Sequence, residues 1–175
     1  TKPTRASKER RLAAKTRVRP MVLEATGNRF GVHLSLDKRI PAGAGLGGGS
    51  SDAAAALLLT NHLAGDAVPR HELLQFAARL GSDIPFFLSG APLALGWSHG
   101  ERLLRLPPLP PSPVLLLTPP TTIRTAEAYG WLDAANQSGA RRGGVALDLD
   151  VLTRWGDIGR MAGNDFESSV FGRFP

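Results

Sequence analysis

The sequence predicts an α+β protein, and three observations predict it. Residues 30 to 37 alternate apolar and polar, with Val32, Leu34 and Leu36 on one side, the period of a half-buried strand. A glycine-rich run at 41–49 then opens into an Ala/Leu-rich segment that reads as a helix. Further on, after an apolar segment at 93–95, a short apolar stretch at 114–117 reads as a strand among helices at 70–80 and 125–135.

Length and composition narrow the class. A chain of 175 residues can bury roughly 70% of its unfolded surface and needs no covalent staple. It suits one domain, or one domain and part of another. With no cysteine, a disulfide framework, a thiolate metal site and a cysteine nucleophile are all excluded. That fits a cytoplasmic protein. No apolar run reaches the length of a membrane span, so no membrane partner is expected.

The net charge of +6 is unevenly placed. Residues 1–20 hold eight of the 21 Lys/Arg against one acid, Glu9, leaving thirteen bases and fourteen acids beyond, a net of −1. The basicity belongs to an arm. Such an arm can bind nucleic acid, but this one has no aromatic residue for base stacking. It is expected to be disordered or non-native, and nucleic acid is not the expected partner.

In order along the chain, the strand at 30–37 leads into Pro41-Ala-Gly-Ala-Gly-Leu-Gly-Gly-Gly-Ser-Ser51. The helix from Ser51 to about Leu63 is apolar nearly all round and is expected to be buried, with Ser50 or Ser51 as its N-cap. A second helix at 70–80 puts Leu73, Leu74, Ala77 and Leu80 on one face and stops at Gly81. Pro85 biases Ile84 toward extended geometry, which places Asp83 in a turn leaving that helix. Residues 107–113 are proline-rich and form a stiff connector to a short, buried strand at 114–117. A helix at 125–135, a polar loop at 136–144, and shorter helices at 147–155 and 164–171 complete the chain. His33, His62 and His71 are scattered, and nothing pairs them into a metal site.

The glycine run carries the chemistry. Such a loop exposes backbone N–H groups at a helix N-terminus, where the macrodipole favours negative charge. Gly43-Ala-Gly45-Leu-Gly47-Gly48 satisfies the G-x-G-x-x-G dinucleotide pattern. That pattern needs a strand running straight into its first glycine and an acid about 20 residues on. Here Pro41 intervenes, and Asp66 lies in a loop-like Ala-Gly-Asp. A Walker A loop needs Gly-Lys-Ser/Thr, and no lysine follows these glycines. A bare glycine turn capping a helix remains as the plainer reading.

Pro41 with Gly45-Leu46-Gly47, then Gly48-Gly49-Ser50-Ser51 and Ala53, resembles the phosphate loop of the GHMP small-molecule kinases. The wording of Lys38 to Ala56 is closer still to the cytidyl-diphospho-methylerythritol kinases of that superfamily, which serve the non-mevalonate isoprenoid pathway. Leu80-Gly-Ser-Asp-Ile-Pro-Phe-Phe-Leu88, Gly100-Glu101, Thr125-Ala-Glu-Ala-Tyr129 and Gly163-Asn-Asp-Phe-Glu167 follow in that family's order, so the resemblance covers residues 32–171.

The resemblance implies an incomplete GHMP kinase N-terminal lobe at 21–120 and a small, truncated remnant of the second lobe at 121–175. It implies ATP-dependent phosphorylation of a hydroxyl on the small-molecule substrate, with Mg²⁺. ATP binding falls to Pro41, Ala42, Gly43, Ala44, Gly45, Leu46, Gly47, Gly48, Gly49, Ser50 and Ser51. Asp83 matches the catalytic base. Tyr129 matches an aromatic that stacks on cytosine, Thr125 stands near the substrate unless it is only a helix N-cap, and His99 lies in the turn whose backbone meets the cytosine edge. Ser98 stands where that turn usually has glycine. The family's Lys-x-Asn and Tyr-His motifs find no match before residue 32, nor does its later glycine-rich motif after 171. The alternative is therefore an inactive fragment that at most binds nucleotide.

Overall fold

A computed structural model describes residues 21–27, 30–40, 45–117, 119, 123–137 and 148–174. The basic arm, the first four residues of the glycine run and most of the polar loop after 136 lie outside the described residues. The rest falls into two compact units, one ending at Pro108 and the other beginning at Leu109.

In the first unit, helices α1 (Gly48–Leu63), α2 (Arg70–Leu80) and α3 (Ile84–Ser89) precede a hairpin of β1 (Leu93–Trp97) and β2 (Arg102–Leu106). The hairpin is antiparallel, in register from Leu93 opposite Leu106 to Trp97 opposite Arg102. Neither strand was foreseen as one: Leu93 to Leu95 read only as an apolar segment, and Arg102-Leu-Leu-Arg-Leu106 does not alternate.

The core is the seam between the three helices. Ala53, Ala54 and Leu57 of α1 meet Leu73 and Ala77 of α2 and Ile84 and Leu88 of α3, joined by Val68 and by Val22 from a short helical segment at 21–25. Leu57 and Leu88 are fully buried, each contributing about 1.5–3 kcal/mol. The α1–α2 connection is pinned by Asn61. Its amide donates to the Val68 carbonyl (3.0 Å) and accepts from the Val68 N–H (2.9 Å). The Arg70 guanidinium, at the start of α2, donates to the Ser89 carbonyl at 2.5 Å and so holds the far end of α3.

Several expectations are corrected. Residues 30–37 keep their period of two in burial, Val32, Leu34 and Leu36 being less exposed than their neighbours, but they are not a strand. Among the described residues no strand lies beside them to complete a ladder. Helix α1 is buried on one face only, since Leu58, Leu59 and Leu63 are exposed. Nothing among the described residues covers that flank. Its N-cap is Gly47, not Ser50 or Ser51, and no side chain caps it. Ile84 is helical rather than extended, because Pro85 sits in the first turn of α3, where a missing N–H costs nothing.

The second unit holds α4 (Thr125–Gln137), a 3₁₀ turn (Leu149–Thr153), α5 (Trp155–Met161) and α6 (Glu167–Phe171). Arg124 stands immediately before α4. Its carbonyl accepts the N–H groups of Glu127 and Ala128, and the Glu127 carboxylate reaches back to its N–H at 3.4 Å. Aromatic contacts join α4 to the C-terminal segment. Tyr129 meets Phe166 edge to face with centroids 5.1 Å apart, and Arg173 lies 4.7 Å over the Trp131 ring. The Trp155 indole donates to the Pro110 carbonyl at 2.6 Å. Val114 to Leu117 were expected as a buried strand, but they are unpaired and exposed, Leu115 to 84%.

Candidate functional site

The glycine run enters α1 through two residues with positive φ, Gly45 (71°) and Gly47 (64°). Side-chain-bearing residues rarely adopt this conformation, so glycine is required. A Cβ on Gly47 would also lie 2.7 Å from Cζ of Phe87, so the loop is seated directly on α3.

The first helical bond of α1 runs from the Ser51 N–H to the Gly47 carbonyl at 2.9 Å. The N–H groups of Gly48, Gly49 and Ser50 therefore have no intrahelical acceptor. No side chain caps them and no acid stands in the first turn. The end of α1 is thus a set of free donors at the positive pole of a 16-residue helix, suited to phosphate. Ser51 Oγ donates to the Gly48 carbonyl at 3.0 Å, which uses its proton but leaves its lone pairs.

Asp83 is the N-cap residue of α3, in helical conformation and exposed, with no side-chain bond into the helix. It is fixed from below by the buried Ile84 and Leu88. Four residues separate it from Phe87, about 6 Å along the helix axis. One turn of α3 thus spans the distance between the candidate base and the residue that seats Gly47.

The turn between β1 and β2 reaches the residue beside Asp83. Gly100 (φ 99°) packs against Ser82, the neighbour of Asp83. Ser98, standing where the resemblance implies glycine, adopts φ 62° all the same. His99 is exposed, and its N–H donates to Glu101 Oε2 at 3.0 Å. The Glu101 carboxyl is held below its usual range, first by its own backbone N–H and then by the Ser98 hydroxyl and the His99 N–H.

The first unit thus assembles Gly45 to Ser51, Asp83 and the His99 turn. Pro41, Ala42, Gly43 and Ala44 lie outside the described residues. Thr125 and Tyr129 belong to the second unit, Thr125 as the first residue of α4 and Tyr129 half exposed on it. Sequence reasoning missed one feature of the loop: Lys38 Nζ lies 2.5 Å from Asp52 Oδ2. The signal was present, since the alternation of Val32, Leu34 and Leu36 puts residue 38 on the same inward side.

Comparison with known proteins converges on one family. Residues 12–91 match the family described as GHMP kinases N terminal domain. The chain is 40% identical over 148 residues to a 4-diphosphocytidyl-2-C-methyl-D-erythritol kinase of Chloroherpeton thalassium, covering 83% of this chain and 51% of that one. The enzyme of the same name from Symbiobacterium thermophilum is 38% identical over 162 residues, covering 91% and 56%. A crystal structure of 4-(cytidine 5'-diphospho)-2C-methyl-D-erythritol kinase superposes with a TM-score of 0.72 at 36% identity, over 93% of this chain and 57% of that one. The chain spans about half the length of the curated relatives it matches.

Proposed function

We propose that this chain, whose residues 12–91 match the GHMP kinases N terminal domain, serves ATP-dependent phosphorylation of a hydroxyl of 4-diphosphocytidyl-2-C-methyl-D-erythritol. The observation that carries this reading is the uncapped, acid-free N-terminus of α1, seated through Gly47 on α3 one helical turn from Asp83. The phosphates of ATP lie on the free N–H groups of Gly48, Gly49 and Ser50. The substrate hydroxyl gives its proton to Asp83 as its oxygen bonds the γ-phosphorus, and the bond from that phosphorus to the bridging oxygen breaks to release ADP. The His99 turn meets the cytosine edge. Because the His99 N–H is engaged by Glu101, its carbonyl is the backbone group offered there. The resemblance also assigns Tyr129 to base stacking and Thr125 to the substrate, both on α4 of the second unit.

Mg²⁺ belongs to the same reading. The Asp83 carboxylate and the Ser51 hydroxyl are hard oxygen donors. Among the described residues no cluster of three acidic or histidine side chains could hold a metal by itself, which fits an ion bound largely by the nucleotide's phosphates. When bound, it would neutralise charge on those phosphates. A cytoplasmic site of action follows from the kind of enzyme proposed.

Transfer of radiolabelled γ-phosphate to the cytidyl substrate tests the reading. Asp83→Asn should lower kcat by about 10²–10⁴-fold, the usual worth of a general base, with the KM for ATP nearly unchanged. ATP binding without any transfer in the unsubstituted protein would favour the nucleotide-binding fragment instead.

A further inference from the structure

We propose that Lys38 and Asp52 form a clamp that holds the phosphate-binding end of α1 in shape, making Asp52 a positioning residue for the nucleotide. The proposal rests on the nucleotide reading above. The two charged atoms are 2.5 Å apart, on side chains only 13% and 27% exposed. The other ion pairs of the chain include Arg39 with Asp37, at 87% and 80% exposure, and His62 with Asp66, at 77% and 67%. Water screens pairs of that kind to near irrelevance. The Lys38–Asp52 pair is shielded by comparison, and a shielded pair holds its geometry more firmly.

The path of the lysine is as informative as its end. Gly48, the first residue of α1, is one turn before Asp52 on the same face. A Cβ on Gly48 would lie 2.7 Å from Ile40 Cγ2, 2.9 Å from Ile40 Cβ and 2.9 Å from Lys38 Nζ. Lys38 therefore crosses the bare backbone of Gly48 to reach Asp52, and Ile40 presses on the same spot. Residues 38 and 52 flank the glycine run, so their pairing fixes the segment before it against the helix after it. What they hold between them is the turn whose N–H groups lack acceptors.

Pairing also silences a charge. An unpaired Asp52 carboxylate would stand one turn from the donors meant for phosphate. With Lys38 on it, that end of the helix keeps its positive potential. Asp52 thus contributes to phosphate binding by where it keeps the lysine and the loop, without touching the nucleotide.

Hydrogen exchange and ATP titration on the whole protein test this together. In Asp52→Asn, the Ser51 and Ala53 amides should exchange about tenfold faster and the Kd for ATP should rise about tenfold, the scale of coupling expected for contacting charges. Amides near Leu57 should keep their protection, which shows that the fold is intact. The exchanged pair Lys38→Glu with Asp52→Lys should restore both readouts to within about threefold, as a pairwise coupling requires.

Unchanged exchange at Ser51 in Asp52→Asn would overturn the clamp. Restored exchange without restored affinity would overturn the positioning role, since the lysine would then have to be at position 38 for its own contact. Failure of ATP to bind the unsubstituted protein would also overturn that role. Absence of phosphoryl transfer alone would count against the kinase reading and leave these measurements to judge the clamp.

Discussion

Gly100 stands so close to Ser82 that a Cβ at position 100 would lie 2.7 Å from the Ser82 carbonyl oxygen. The contact joins the β1–β2 turn to the residue preceding Asp83, and backbone cannot swing aside as a flexible side-chain tip can. Gly100→Ala must therefore both adopt a strained φ and displace the 82–83 segment. It should cost roughly 1–3 kcal/mol, read from urea unfolding, and, on the proposed function, should also lower phosphoryl transfer through the displaced Asp83. A variant as stable and active as the parent would mean that the turn is free to move away.

Gly47 and Gly49 should respond to alanine in opposite ways. At Gly47 the positive φ and the Phe87 ring both oppose a methyl group, and Gly47→Ala should destabilise by about 1–3 kcal/mol. At Gly49 a Cβ meets nothing within 4 Å and the backbone is helical. Gly49→Ala should stabilise by about 0.4–1 kcal/mol, mainly by restricting the unfolded chain. The proposed function adds a second readout: ATP affinity should fall in Gly49→Ala even as the melting temperature rises, because the open space there is where phosphate approaches. Equal or tighter binding would remove that space from the site.

Asn61 is nearly fully buried and answers both backbone groups of Val68. Asn61→Ala would leave a buried N–H and a buried carbonyl without partners, at about 1–3 kcal/mol each. Thermal unfolding should show a loss well beyond that of His62→Ala, whose exposed contact with Asp66 contributes little.

The Glu101 turn should respond to acid. Its carboxyl is held low in the folded chain by bonds from its own N–H, Ser98 and His99. The sign follows from the depressed value: the contribution is complete above the ordinary glutamate range and is lost as pH falls through the depressed one. The His99 amide, followed by NMR, should shift with a midpoint below that of a free glutamate, and Glu101→Gln should abolish the shift. A midpoint at the ordinary value would mean that the carboxylate does not hold the turn.

What could be read in advance was what local chemistry decides. The helix at 70–80 needed only its apolar spacing and Gly81, and the resemblance to the GHMP kinases was legible in the glycine run and the Leu80–Leu88 motif. The misreadings came where distant partners decide. Val114 to Leu117 look like a buried strand because they are apolar, yet burial needs a neighbour, and none lies against them among the described residues. Ile84 was misjudged because proline is hostile to the middle of a helix but welcome in its first turn. The Lys38–Asp52 pair was hidden by fourteen residues of separation, although the alternation from Val32 already placed Lys38 on the inward side.

The run from Val114 to Leu117 carries its own limit. Its exposed aliphatic side chains and unpaired backbone could take up a strand from a neighbouring molecule. Pro113 and Pro119 stand on either side, and neither has an N–H to give to a ladder. Any pairing would break off after a handful of rungs, too short to stack into fibrils. The prolines act as bookends, so crowded solutions of this protein should cluster reversibly on concentration and clear on dilution.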